Sequence, residues 1–411
     1  MLIPSIDLYD GKAVQWRQGK EPVLARTDVF ELLERFRLFG EVAVIDLNAA
    51  TGKGDNRKLI QAMLKQHPCR IGGGLRDLER ARYYLKAGAS KIIIGTEARA
   101  PWVRKLPREA LIFAIDARGD DWLRHGWQQN TGIKVHDILQ ELAPHCSEML
   151  YTQVEKEGMM EGLDRERIES LVAMAPVPLT VAGGVTTCDD VAFLHRLGAK
   201  AQIGMAIYTG GLNLADALLA CLDFEKCPLI PTIVQEASSG DVLMLAYSSP
   251  ESLRTALEER RGVYFSRSRR TLWRKGDTSG HTQVLQRVDW DCDGDSLLFK
   301  VKQHGPACHL SRHSCFTQTG KRFRLEDLDR VLLERQTAMP KGSYTAKLFS
   351  DPTLQAAKLR EEVEELIEAK TFEDVRWEAA DLMYFTLVKA RDAGVGLAQI
   401  AAELRSRHGY S

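Results

Sequence analysis

Gly72-Gly73-Gly74-Leu75-Arg76, answered later in the chain by Ala182-Gly183-Gly184-Val185-Thr186, is the pair of stretches on which the fold turns. Each follows, at nearly the same spacing, an apolar run ending in aspartate: Asp7 in the first case, Asp116 in the second. Each also precedes another strand-glycine step, Ile94-Gly95-Thr96 and Ile203-Gly204-Met205. Around them, apolar runs such as Val42-Ala43-Val44-Ile45 and Leu111-Ile112-Phe113-Ala114-Ile115 alternate with helix-like stretches, which implies a parallel sheet covered by helices. The duplication reads as two half-barrels and predicts a (β/α)8 barrel over residues 1–225.

Glycine turns after strands let backbone N–H groups approach a phosphate closely. Two pairs in half-barrel register predict a substrate with two phosphates. Gly73, Gly74, Gly95 and Thr96 would hold one, and Gly183, Gly184 and Gly204 the other. Asp7 and Asp116 fall at strand ends, where barrel active sites are built. Either alone reads equally as a helix cap; as a symmetric pair they suit general base and general acid work.

Beyond Lys226-Cys227-Pro228 the pattern changes to β-rich sequence, which predicts an α+β region over 226–322. Residues 323–411 read as all-helical, with Leu359, Val363, Leu366 and Ile367 on one apolar helical face. Lys+Arg and Asp+Glu both total 56, so no global field favours nucleic acid or a membrane surface. No apolar run approaches the roughly 18 residues of a membrane span, and the N-terminus lacks signal-peptide features; a cytoplasmic protein is expected. Eight cysteines in a chain of this length do not make a disulfide framework.

Asp291-Cys292-Asp293-Gly294-Asp295, followed by Cys308-His309 and Cys315, joins three thiolates to interleaved carboxylates. That suits a soft metal on Cys292, Cys308 and Cys315 beside a hard cation on Asp291, Asp293 and Asp295. Read as an alternating strand, the run sends its three aspartates to one face, where Mg²⁺ would offset their repulsion. His309 or His313 would complete a closed zinc site; three thiolates and a water would leave one open for hydrolysis. Arg267, Arg269 and Lys275, beside Trp273, add phosphate donors and an aromatic surface fit for a nucleotide.

Among the helices, Glu361, Glu362 and Glu365 form one acidic motif. Glu378 and Asp381 lie three apart within the otherwise apolar Trp377–Phe385 segment. Buried carboxylates without a cation are costly, so the two motifs together predict an oxygen cage for Mg²⁺ carrying a pyrophosphate.

Three resemblances follow. The first 225 residues resemble the phosphoribosyl-formimino isomerases of histidine biosynthesis, which implies Asp7 as general base, Asp116 as general acid, Thr152 assisting and Trp127 stacking on the imidazole carboxamide. Gln15 stands where that family usually has Arg, and Glu157-Gly158-Met159 where it has Asp-Gly-Thr. Residues from about 228 to 316 resemble phosphoribosyl-AMP cyclohydrolase through Tyr264–Arg269, Trp273–His281 and the metal motif. That implies Zn²⁺ on the cysteines, shared between two subunits of a homodimer, Mg²⁺ on the aspartates, and His309 in the catalytic set. The last 85 residues or so resemble phosphoribosyl-ATP pyrophosphohydrolase, which implies Mg²⁺ on Glu361, Glu362, Glu365, Glu378 and Asp381; Pro340-Lys341-Gly342 departs from that family's Pro-Glu.

Taken together, these imply a three-activity enzyme acting on small phosphoribosyl nucleotides. The rival readings are a two-activity enzyme whose barrel is only a scaffold, and a non-catalytic zinc and nucleotide-binding module.

Overall fold

The computed structural model describes residues 2–17, 19, 21–316 and 323–408. The first half of the barrel region carries β1 (Leu2–Tyr9), β2 (Lys12–Arg17), β3 (Glu21–Arg26), β4 (Ala43–Asp46), β5 (Arg70–Gly72) and β6 (Lys91–Ile94). The second half carries β7 (Leu111–Arg118), β8 (Asp121–Arg124), β9 (Gln129–Lys134), β10 (Glu148–Gln153), β11 (Leu179–Ala182) and β12 (Lys200–Ile203). Strands β1, β4, β5, β6, β7, β10, β11 and β12 pair in parallel, and β12 returns to β1 to close an eight-stranded barrel. Closure leaves the eight parallel strands no free edge and points their C-terminal ends to one mouth.

The duplication extends further than the glycines. In each half the first strand runs on into an antiparallel hairpin, β2–β3 beside β1 and β8–β9 beside β7. Each glycine pair leads to an N-cap: the Asp77 side chain accepts the Arg80 N–H at 2.7 Å, and Thr187 with Asp190 forms a capping box. At the opposite end of the barrel the buried Glu148 accepts from Arg70, from Lys200 Nζ at 2.6 Å and from Lys91 Nζ at 3.2 Å. Burial alone would raise its carboxyl; the three cations hold it down at about 2.

The second region adds β13 (Ile230–Glu236), β14 (Val242–Ser248), β15 (Val263–Ser266), β16 (Thr271–Arg274), β17 (Gln283–Trp290) and β18 (Leu297–Gln303). They form a mixed sheet in the order β14-β13-β18-β17, with β15 and β16 a separate hairpin. Helix Pro250–Glu259 begins at a Ser249–Ser252 capping box. One run of buried apolar side chains continues from the barrel into this sheet, so both lie in a single compact unit.

The second compact unit consists of helices Leu325–Ala338, Tyr344–Ser350, Pro352–Glu368, Phe372–Asp392 and Leu397–His408. Its core is Leu332, Leu348, Phe385, Leu387 and Val388. The apolar face expected on Pro352–Glu368 is only partly covered: Leu359 and Leu366 are half-buried, whereas Val363 is exposed and Ile367 is 76% exposed. Periodicity marks a face as apolar without saying what packs on it. Among the described residues no helix is long and apolar enough to cross a membrane.

Candidate active sites

At the barrel mouth, Asp7 near the end of β1 and Asp116 near the end of β7 sit in equivalent places of the two halves. Ser5 Oγ donates to Asp7 at 2.8 Å, but desolvation dominates and lifts the Asp7 carboxyl to about 6. Asp116 is raised by the same burial, with Thr152 and Trp127 pulling the other way. Thr152 is the strand neighbour of Asp116 in the β7–β10 register, and Trp127 is held at a φ of +70°. Thr152 and Trp127 are thus gathered at Asp116.

A third carboxylate joins them. Glu157 is pushed to about 7 by burial, then by Asp7 and Asp116. In the sequence Glu157 stands out only as a departure from Asp-Gly-Thr, and nothing in the spacing brings it to the other two carboxylates.

The expected phosphate cradles differ. Gly73 and Gly74 have positive φ, and a Cβ at either would run into the backbone of Asp46 or Ala49. Beside them Gly95 is open, and Thr96 Oγ1 accepts the His125 N–H at 3.1 Å while Arg124 Nε donates to the Thr96 carbonyl at 3.0 Å. In the second half, a Cβ at Gly183 would stand 3.1 Å from Glu157 Oε2, and one at Gly204 would stand 2.8 Å from Gln15 Oε1. Gln15 is 3% exposed and its Nε2 has no partner. Arg124 neighbours the first cradle; a carboxylate and an amide stand beside Gly183 and Gly204 of the second, where the Lys156 stem also lies against Gly184.

Asp291 to Ser296 is a turn between β17 and β18, so the expected alternating strand does not form there. Gly294 at φ +75° reverses the chain, and Asp291 Oδ1 accepts the N–H groups of Asp295 at 3.0 Å and Ser296 at 3.1 Å. Turn geometry, not strand alternation, brings one oxygen each from Asp291, Asp293 and Asp295 within 4.8 Å of one another. Such a set of oxygens fits a divalent cation.

The cysteines are placed differently. Burial and then Cys308 push the Cys315 thiol up, so these two are neighbours. The Cys315 N–H donates to the Leu243 carbonyl at 2.8 Å and the Ser314 hydroxyl to the Val242 carbonyl at 2.7 Å, fixing their loop on β14. Cys292 is exposed on the aspartate turn, and among the described residues no converging group of three includes a cysteine. His309 is exposed, while His313 turns toward Asp241 at 3.7 Å.

Lys275, expected beside Arg267 and Arg269 as a phosphate donor, is buried near Cys308 and Cys315, and desolvation lowers its ammonium. Arg267 instead lies 3.9 Å over the Tyr247 ring. It helps line an open cleft of about 540 Å³ with Leu245, Tyr247, Phe265, Ser266 and Trp273. Arg269 stands 6.0 Å from the Trp273 ring centre.

In the helical unit, Glu362 belongs to two converging sets, Glu361–Glu362–Glu365 and Glu362–Glu378–Asp381, each within 4.8 Å. Glu362 is the buried member at 6% exposure, whereas Glu378 and Asp381 are half-buried and Trp377 is exposed. The segment expected to bury both carboxylates therefore does not. Burial, then Asp381 and Glu365, raise the Glu362 carboxyl; burial, then Glu365 and Asp381, raise that of Glu378. Repulsion of this kind is what a bound cation relieves.

Comparison with known proteins agrees with this layout. Residues 1–213 match the family model described as histidine biosynthesis protein, residues 244–317 that of phosphoribosyl-AMP cyclohydrolase, and residues 325–408 that of phosphoribosyl-ATP pyrophosphohydrolase. The chain is 43% identical over 198 residues to the histidine biosynthesis bifunctional protein HisIE of Bacillus subtilis, covering 46% of this chain and 95% of that protein. The HisIE protein of Deinococcus radiodurans is 41% identical over 208 residues, covering 47% of this chain and 94% of its own. A histidine biosynthesis trifunctional protein of Neurospora crassa is 48% identical over 248 residues, but the match spans 60% of this chain and only 26% of that protein. The chain belongs to the histidine biosynthesis protein family, an isomerase-like barrel joined to a phosphoribosyl-AMP cyclohydrolase region and a phosphoribosyl-ATP pyrophosphohydrolase region.

Proposed function

We propose that residues 323–411 release pyrophosphate from phosphoribosyl-ATP, residues 226–322 open the adenine ring of phosphoribosyl-AMP, and the barrel of residues 1–225 isomerises the product. The observation carrying the hydrolytic half is the convergence of two acidic sets, one on the Asp291–Asp295 turn and one around Glu362. In this reading Glu361, Glu362, Glu365, Glu378 and Asp381 hold Mg²⁺, which neutralises pyrophosphate charge. Asp291, Asp293 and Asp295 hold a second Mg²⁺. Cys308 and Cys315 supply two zinc ligands, and the zinc would supply an activated water. Arg267, stacked on Tyr247, binds the nucleotide phosphate, and His309 moves protons from its exposed place beside Cys308.

Cys292 is the third zinc ligand, contributed across a homodimer. The test is complementation. Cys292→Ser and Cys308→Ser should each be inactive in ring opening, and mixing them under exchange of subunits should restore activity, since one mixed site keeps all three thiolates. No recovery in mixtures shown to contain the mixed dimer removes the shared site.

For the barrel, Asp7 removes a proton and Asp116 returns one, with Thr152 orienting Asp116 and Trp127 stacking on the base. A scaffold barrel is the second reading, favoured by Glu157 and Gln15 in the second phosphate cradle. Purified protein given phosphoribosyl-ATP, Zn²⁺ and Mg²⁺ decides between them. Chromatographic identification of the ribulosyl isomer supports three activities; arrest at the formimino aminoaldose makes the barrel a scaffold.

A further inference from the structure

The aspartate turn leans on the barrel as well as on its own sheet. Gly294 is buried at the tip, and its carbonyl accepts the N–H of Asp223, from the barrel's last turn, at 3.1 Å. A Cβ added at Gly294 would lie 2.4 Å from the Cys221 carbonyl oxygen and 3.4 Å from Leu222 Cα. The tip and the end of helix Leu214–Ala220 therefore touch with no room for a side chain. At the turn's leading edge, the Trp290 ring meets the His195 ring of helix Cys188–Arg196 edge-on, centroids 5.9 Å apart and planes at 74°. Arg254 pairs with Asp216 at 2.5 Å, tying helix Leu214–Ala220 to Pro250–Glu259. Three like charges on one short turn repel, so keeping them convergent before a cation arrives requires anchors. Two anchors lie outside the cyclohydrolase region.

We propose that the barrel is a positioning element of the cyclohydrolase metal turn: Cys221–Asp223 seats Gly294 and His195 seats Trp290, so that Asp291, Asp293 and Asp295 face one point. This role is independent of Asp7, Asp116 and Glu157. It rests on reading the turn as a divalent-cation site, while the anchoring itself is measurable with no metal present.

The experiment uses the full chain with His195→Ala and, separately, Asp223→Pro, which deletes the anchoring N–H. Amide hydrogen exchange of the peptide spanning the turn is followed by mass spectrometry with and without Mg²⁺. The Mg²⁺ concentration for half-maximal ring opening is measured beside pyrophosphate release from the same sample. Faster exchange across the turn without metal is expected in both variants, with about tenfold more Mg²⁺ needed for ring opening, the lower end of the effect of groups that orient metal ligands. Pyrophosphate release should be unchanged. Wild-type exchange together with a wild-type Mg²⁺ requirement overturns the proposal. If Asp223→Pro loses its circular dichroism, His195→Ala, which cannot break its helix, decides alone. Failure of Mg²⁺ to slow exchange in the unaltered protein would remove the cation reading, while a loosened turn in the variants would still establish the anchoring.

Discussion

The barrel mouth and the helical unit both gather carboxylates, and they do so to opposite ends. In the helical unit one oxygen each from Glu362, Glu378 and Asp381 lies within 4.8 Å of the others, on two helices that leave part of the set open to solvent. In the mouth Glu157 is raised by Asp7 and Asp116, yet the three belong to no such converging set among the described residues. Desolvation there lifts Asp7 to about 6 and Glu157 to about 7, values suited to passing protons near neutral pH. Under the proposed function, spacing and burial, rather than residue type, are what would separate a proton-transfer site from a cation cage.

The sharpest way to break this comparison is to remove a cage ligand. Asp381→Asn should cut pyrophosphate release by more than about a hundredfold, while ring opening of supplied phosphoribosyl-AMP continues. Mg²⁺ should raise the thermal midpoint of the helical unit in the unaltered protein more than in this variant. Loss of both hydrolytic activities in a folded variant would show that the sites are not separate.

Next, Asp7→Asn should slow isomerisation by about 10²–10⁴-fold when assayed on the isolated formimino compound, with both hydrolyses intact. Normal turnover would take the general base away from Asp7. In the unaltered protein the isomerisation rate should climb as pH rises through about 6, where Asp7 gives up its proton.

The smallest effect concerns stability. The folded Glu157 carboxyl sits at about 7 against an ordinary 4.5, so between these values the folded state binds more protons than the unfolded one. Stability contributed there is present at low pH and falls as pH rises through the window. Glu157→Gln should therefore raise the thermal midpoint at pH 8 and leave it nearly unchanged near pH 4. An equal gain at both pH values would mean that packing, not ionisation, governs this position.

Much of the architecture was legible because glycine and strand chemistry are local. Gly73, Gly74, Gly183 and Gly184 all have positive φ, as tight strand-to-helix turns require, and their spacing exposed the duplication. The hairpins β2–β3 and β8–β9 do not follow from the strand-helix alternation that marks the barrel, and their outer strands β3 and β9 are largely exposed. Alternation in the aspartate run suggests a strand, but Gly294 makes it a turn; the convergence expected of its carboxylates holds for a different reason. Val363 and Ile367 fall on the expected apolar helical face yet stand exposed, because helical period identifies an apolar stripe but not its cover.

By itself the sequence determined the barrel repeat, the β-rich middle, the helical end and the residue types able to hold cations or move protons, because these depend on local geometry and side-chain chemistry. Tertiary structure alone decided that Glu157 stands by Asp7 and Asp116, that Lys275 lies beside the cysteines, and that Cys221–Asp223 and His195 brace the aspartate turn. Those relations join residues far apart in the chain, and only packing sets the distances on which desolvation and charge interaction depend.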